Sequence, residues 1–254
     1  MQKTNIFGGA VVLMALFGII FYAAIQPERK EVLTPRTTLP STGYTEHAQY
    51  YDITANYATS TPLQAIGKHY DTAAQELMHT FVSDTIATFK SEGNFENLTS
   101  EDIEMMGFDQ GQKERLNIVY MTAASKQSIS YIFTVYTDTL GAHGNLDFGT
   151  FTFDVKNGAH IKLGDLFISG SNYLEALSIL SRQNLPAVIG RRADAAYIAK
   201  GTTPEEKNFE RFFLDNKELV LLFPPYQVAA YSEGPQTLRI PLTELSGILK
   251  PEYR

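Results

Sequence analysis

The sequence predicts an α+β fold, an antiparallel sheet meander with two main helices packed on it, preceded by one transmembrane helix. Three observations lead there. Ile6–Ile25 (IFGGAVVLMALFGIIFYAAI) is an uncharged apolar run, long enough as a helix to cross a bilayer core of roughly 30 Å. Two later segments, starting at Leu63 and at Tyr173, place apolar residues three or four apart, the spacing of a helix with one buried face. Between and after them, short stretches alternate with a period of two and are joined by tight turns, as in strands of an antiparallel sheet.

Taken in order, Tyr51, Ile53, Ala55 and Tyr57 alternate with polar residues and predict a half-buried strand. Thr61-Pro62 breaks it and opens the first helix, whose stripe is Leu63, Ile66, Tyr70, Ala74, Leu77, Phe81 and Phe89. Ser91-Glu92-Gly93-Asn94 closes that helix with a glycine stop signal. Phe95–Gln112 is acidic and irregular and predicts a loop with a helical turn near Glu101–Met106.

From Leu116 the period becomes two. Leu116, Ile118, Tyr120 and Thr122 form one strand, Ser125-Lys126-Gln127 a turn, and Ile129, Tyr131, Phe133 and Val135 the next strand. Gly141-Ala142-His143-Gly144-Asn145 turns the chain again. A strand then sets Phe148, Thr150, Thr152 and Asp154 opposite Gly149, Phe151, Phe153 and Val155. After the Lys156-Asn157-Gly158 turn and a short strand at His160–Leu163, Asp165-Leu166-Phe167 leads into the second helix. Its stripe is Tyr173, Leu174, Leu177, Leu180 and Leu185, and Pro186 bends or ends it. Thr203-Pro204-Glu205-Glu206 starts a short helix by its cap, proline and first-turn acids. A hairpin at Phe212–Phe223, a strand at Thr237–Ile240 and a helical turn at Leu242–Leu249 complete the chain.

Length and composition divide this into four stretches. Residues 1–25 are the membrane anchor or an uncleaved signal. Residues 26–44, with three prolines and no apolar period, are an extended linker. Residues 45–157 form a strand-helix-meander half and 158–254 a second half, one compact unit with the first. Lys3 before the run and an export-type pattern predict a cytoplasmic N-terminus and an extracytoplasmic C-terminal part, on a single-pass cell-membrane protein. The absence of cysteine suits an oxidising or variable compartment. The apolar run exceeds a signal-peptide core, and Tyr22 stands where cleavage wants a small residue, so an uncleaved anchor is expected. The formal charge of −7 argues against nucleic acid and leaves basic partners electrostatically favoured.

No nucleophile elbow, phosphate loop or dinucleotide fingerprint occurs in the sequence, and no catalytic residue, metal site or cofactor is assigned. His143 invites a zinc or general-base reading, yet His47, His69, His79 and His160 show no ligand spacing with it or with one another. A turn histidine bonded to nearby backbone is the plainer reading. Asp147 and Asp154 flank a strand without the mark of an acid–base pair. Pro224-Pro225-Tyr226 through Tyr231 to Gly234 reads as a rigid aromatic loop, and tyrosines held that way suit recognition; equally, the rings could plug the edge of the core. The candidate ligand-binding residues are therefore Gly141, His143, Gly144, Asn145, Pro225, Tyr226, Tyr231 and Gly234.

Three passages carry a resemblance. Phe151–Gly158 runs on through Ile161–Phe167. Leu219–Phe223 continues into Pro224-Pro225-Tyr226-Gln227-Val228-Ala229-Ala230-Tyr231-Ser232-Glu233-Gly234, and Leu238-Arg239-Ile240-Pro241-Leu242-Thr243-Glu244-Leu245 closes the series. Together they resemble the extracytoplasmic domain of unknown function in RsiV-type anti-sigma factors, found also beside the deacetylase domain of PdaC-type peptidoglycan deacetylases. Tyr51–Phe89 is similar to that family's first half, and Gly141–Asn145 to its glycine-histidine turn. The resemblance implies an envelope-facing, non-enzymatic binding or sensing domain, with a basic lysozyme-like protein or peptidoglycan as ligand. The few residues before Ile6 leave no room for a sigma-factor-binding segment, and the remainder leaves none for a deacetylase domain. The expected role is thus recognition alone, on a membrane anchor. The alternative is a cell-wall-modifying enzyme, or an accessory subunit of one, with a site near His143.

Overall fold

The computed structural model describes residues 41–254, so Ile6–Ile25 and most of the 26–44 linker lie outside the described residues. Among the described residues no helix is long and apolar enough to cross a membrane. A six-stranded sheet runs in chain order through β1 (Ser41–His47), β2 (Tyr51–Ala58), β3 (Glu114–Ala124), β4 (Ser128–Asp138), β5 (Asn145–Asp154) and β6 (His160–Ile161). A second sheet holds β7 (Phe212–Asp215), β8 (Glu218–Phe223) and β9 (Gln236–Pro241). Four α-helices are described: α1 (Lys68–Gly93), α2 (Ser100–Met105), α3 (Tyr173–Ile189) and α4 (Ala195–Gly201).

The class is α+β, but the large sheet is mixed where the sequence predicts an antiparallel one. β2 and β3 are parallel, with Tyr51 opposite Glu114 and Ile53 opposite Leu116. The cause is the connection. Parallel neighbours need a crossover, commonly helical, and α1 and α2 supply it. All other pairings in both sheets are antiparallel. β1 is a second difference. STGYTEH has no alternating apolar pattern, and it becomes a strand by pairing along β2 from Ser41–Ala58 to His47–Asp52. The strand thus takes in the last residues of the predicted linker.

Thr61 accepts a hydrogen bond from the Leu63 amide and starts a 3-10 turn at Pro62–Ala65. Gly67 then separates that turn from α1, which resets the helical phase. The buried stripe of α1 is therefore Asp71, Ala74, Met78, Val82 and Phe89, while Ile66 and Leu77 of the predicted stripe face solvent. Asn94, not Gly93, takes the left-handed conformation that stops the helix (φ 47°). The loop after α1 forms α2, held by a reciprocal Thr99–Asp102 capping box.

α1 covers one face of the large sheet. Its Ala74, Met78, Val82 and Phe89 pack on Ile53, Leu116, Ile118, Tyr131, Phe133 and Phe153. The predicted alternation of β3, β4 and β5 holds there. β4 is buried on its other face too, at Ser128, Ser130 and Ile132, because β7 crosses that side. The Phe212 amide donates to Thr150 Oγ1 (3.2 Å), the Asn216 amide to the Ala124 carbonyl (2.8 Å), and Arg211 forks onto Asp147 (2.7 and 3.1 Å). A second core gathers Leu177 and Leu185 of α3 with Leu219, Leu221, Phe223, Leu238 and Ile240. Pro186 sits inside α3 one turn from its end and does not terminate it. The predicted helix at Thr203–Glu206 is a 3-10 turn at Glu206–Asn208, and the last helical turn is short, Leu242–Leu245.

Candidate functional site

The structure brings the two candidate loops together. One is the β4–β5 connection, Thr139–Gly144, whose two glycines flank Ala142-His143 and turn the chain before β5 begins at Asn145. The other follows β8, where two prolines stop the strand, since proline offers no ladder donor. Tyr226, next in line, adopts a left-handed backbone (φ 70°). That conformation is costly for a bulky side chain, at about 1–3 kcal/mol, and persists only where the surroundings enforce it.

The enforcement is visible in the neighbours of Tyr226. The Gln227 amide donates to the Pro224 carbonyl (3.2 Å), closing a turn. The Gln227 side chain donates to the carbonyls of Gly201 (3.1 Å) and Asn208 (2.9 Å). Gly201, at the end of α4, is there by necessity, because a Cβ would sit 1.8 Å from the Gln227 carbonyl oxygen. Val228 and Ala229 are buried in the second core. The strained residue is thus clamped on both sides while its own ring stays 52% exposed.

That ring meets His143. Nε2 of His143 lies 3.0 Å from the Tyr226 hydroxyl, and Nδ1 lies 3.0 Å from the Gly144 carbonyl oxygen. A carbonyl only accepts, so Nδ1 carries the proton and, in the neutral ring, Nε2 accepts from Tyr226. Tyr231 stacks flat on the imidazole, centroids 3.6 Å apart and planes 16° apart. Its hydroxyl donates to the same Gly144 carbonyl at 2.7 Å. Gly144 is buried against Tyr136, whose hydroxyl would lie 2.3 Å from an added Cβ. Three rings and one carbonyl therefore hold one another in a fixed surface cluster. An imidazole oriented by a carbonyl and bonded to a tyrosine hydroxyl can accept or pass a proton; the exposed Tyr226 ring can stack on a ligand, and its hydroxyl oxygen, while donating to His143, can still accept.

Of the other candidates, Asn145 opens β5 and is exposed, and Gly141 is exposed with open space about it. Pro225 is half-buried beside Tyr226, and Gly234 takes a positive φ of 67° to end the loop. Neither Gly141 nor Gly234 adds a contact to the cluster. Asp147 and Asp154 do not meet at a site: Asp147 pairs with Arg211, and Asp154 caps the β5–β6 turn through the Lys156 and Asn157 amides. Among the described residues no group of three or more His, Asp or Glu is placed to hold a metal ion.

A second polar cluster escapes a reading of motifs. Glu46 on β1 accepts from Tyr44, from Tyr51 (2.7 Å) and from Lys90 (2.5 Å), tying the edge strand to β2 and the last turn of α1. The Lys90 ammonium and the two phenols hold its carboxyl down at about 2. Only Tyr44 and Glu46, two positions apart, with Tyr51 five further on, hint at it in the sequence.

Residues 164–243 match a family described as "Protein of unknown function (DUF3298)". Over 143 residues, 56% of this chain, the sequence is 33% identical to the peptidoglycan-N-acetylmuramic acid deacetylase PdaC of Bacillus subtilis (strain 168). The chain spans 31% of the length of that relative. A DUF3298 family member from Bacteroides fragilis superposes with a TM-score of 0.55 at 17% identity, over 85% of this chain and 95% of that one, and shares its fold. A DUF3298 family protein from Pseudomonas aeruginosa PAO1 gives a TM-score of 0.48 at 14% identity, over 85% and 97%. The resemblance read from Phe151–Leu245 is thereby borne out: residues 164–243 match the DUF3298 family, and the sequence is similar to PdaC.

Proposed function

We propose that this chain is an extracytoplasmic recognition domain that binds peptidoglycan at the His143–Tyr226–Tyr231 cluster, without turnover, tethered to the cell membrane through Ile6–Ile25. One observation carries the reading. Tyr226 is held in a left-handed backbone by a buried clamp, yet the ring so placed is exposed and meets the rings of His143 and Tyr231. Backbone strain maintained at an exposed aromatic points to a site kept for contact rather than for packing. The relative's name supplies the ligand class, a polymer of the cell wall.

The test is co-sedimentation of the full chain, in detergent, with purified insoluble peptidoglycan. Wild type is expected in the pellet and Tyr226→Ala in the supernatant. Equal retention of both variants, or retention of neither, overturns the reading. A parallel pull-down on immobilised lysozyme examines the basic-protein partner that the charge of −7 favours. A second reading, an enzyme acting on the cell wall, draws on the chain of hydrogen bonds from Tyr226 through His143 to Gly144. Its mark is muropeptide turnover that disappears in His143→Ala while the melting temperature stays unchanged.

A further inference from the structure

At the C-terminal end of α1 a cleft of about 320 Å³ opens between Tyr51, Lys90, Asn94, Phe95 and Asn97, within the size range of small-ligand sites. Its apolar wall is Tyr51 and Phe95, with ring centroids 4.6 Å apart and Phe89 behind them. Its rim is amide. Asn97 donates to Asn94 Oδ1 at 2.8 Å, which fixes both side chains and leaves the Asn94 amide protons and the Asn97 carbonyl turned to solvent. Lys90 stands above the Tyr51 ring at 5.5 Å, its charge already taken by Glu46. Half-buried aromatic faces beside fixed amide donors and acceptors match a sugar ring, which has an apolar C–H face and polar hydroxyl and acyl edges.

The sheet register relates this cleft to the aromatic cluster. Tyr51 pairs with Glu114, Arg115 with Asp138, and Thr137 with Asn145. The start of β2, the start of β3, the end of β4 and the start of β5 therefore lie at one end of the sheet. From the Tyr51 backbone to the Asn145 backbone is three strand spacings, about 14 Å, with the cleft on the α1 side of the sheet and Tyr226 and Tyr231 reaching its end from the β7 side. Arg115, exposed and with no ion-pair partner among the described residues, lies on β3 between them.

We infer that the α1 cleft is a second saccharide subsite, and that with the His143–Tyr226–Tyr231 cluster it reads an extended glycan rather than a single sugar. The inference rests on the peptidoglycan reading and adds to it a ligand length and a second set of contacts. Two subsites joined by one polymer raise its affinity through effective concentration, with no new contact needed.

The experiment is calorimetric titration of the full chain, in detergent, with soluble peptidoglycan fragments of one disaccharide and of three or more. Wild type is expected to bind the longer fragments at least about tenfold more tightly. Phe95→Leu and Asn97→Ala should each lose most of that gain while keeping the single-disaccharide binding that belongs to the His143–Tyr226–Tyr231 cluster. Asn97 is exposed, so its variant keeps the fold even if Phe95→Leu loosens the α1 end. Length-independent binding by wild type, or wild-type affinity for long fragments in Asn97→Ala and Phe95→Leu, overturns the second subsite and leaves the peptidoglycan reading standing. Absence of binding to every fragment, with the chain folded, overturns both.

Discussion

Replacing Glu46 by Gln tests how the edge strand is held. In the wild type one carboxylate accepts from Tyr44, Tyr51 and Lys90, which come from β1, β2 and the last turn of α1. Its pKa falls from 4.5 to about 2, chiefly through the Lys90 hydrogen bond. At 1.36 kcal/mol per unit this sets a ceiling of about 3.4 kcal/mol. The side chain is 29% exposed, and solvent screening of such surface pairs reduces the expected loss to about 1–2 kcal/mol. For a domain of this size that lowers Tm by about 3–6 °C at pH 7. The sign with pH follows from the depressed value. The unfolded chain takes up the proton near pH 4.5 and the folded one near 2, so the stabilisation is complete above the higher value and lost as pH falls through the lower. Thermal melts followed by circular dichroism at pH 7, 4 and 2.5 measure this. The gap between wild type and Glu46→Gln should narrow steadily as the solution is acidified. An unchanged Tm at pH 7, or a gap as wide at pH 2.5 as at 7, would refute the reasoning. A cycle with Lys90→Met should show the two substitutions to be strongly non-additive.

Three further outcomes are expected. Ser130 and Thr152 share a buried hydrogen bond of 2.9 Å, so Thr152→Val should cost about 1–3 kcal/mol by orphaning Ser130. The double variant Ser130→Ala, Thr152→Val should recover most of that loss in chemical denaturation. Gly201→Ala forces a Cβ onto the Gln227 carbonyl; it should cost about 1–3 kcal/mol of stability and weaken peptidoglycan retention by shifting Tyr226. Tyr226→Gly relieves the left-handed strain but gains chain entropy when unfolded, so urea denaturation should place its stability within about 1 kcal/mol of wild type. Its retention on peptidoglycan should nonetheless be lost, and a stability loss above about 2 kcal/mol would show the ring to be packing.

Most strands and both long helices were legible because their burial is one-sided and local. Residues 116–135 and 148–155 alternate as they do because α1 lies on a single face of β3, β4 and β5. What was illegible depends on distant partners. β1 has no apolar face of its own and exists through its ladder with β2. The parallel β2–β3 seam is written in no local pattern, although a strand, a long helix and a strand in series allow it. The stripe of α1 was misphased because Gly67 separates the Leu63 turn from the helix. The seven-residue α4, capped by Asp194, is too short for a periodic signal. At the site, both loops stood out by glycine, proline and tyrosine content. Their meeting did not, because it depends on β7 crossing the back of the large sheet. The Glu46 clamp was missed for the same reason, since Lys90 joins it from 44 positions away.

The parallel seam also fixes a sequence of events in folding. β3, β4 and β5 form consecutive hairpins with short turns, so their contacts close small loops at little entropic cost. β2 joins β3 only by closing the long connection of residues 59–113, and winding that stretch into α1 and α2 shortens the span to be closed. Until then β3 keeps a bare edge, with Leu116, Ile118 and Tyr120 beside it, open to another copy of the same chain. Fast assembly of α1 is therefore a safeguard against aggregation. Substitutions that weaken helix formation on its exposed face, such as Glu76→Gly, should cost about 1 kcal/mol of equilibrium stability and lower the refolding yield at high protein concentration by more than that loss accounts for.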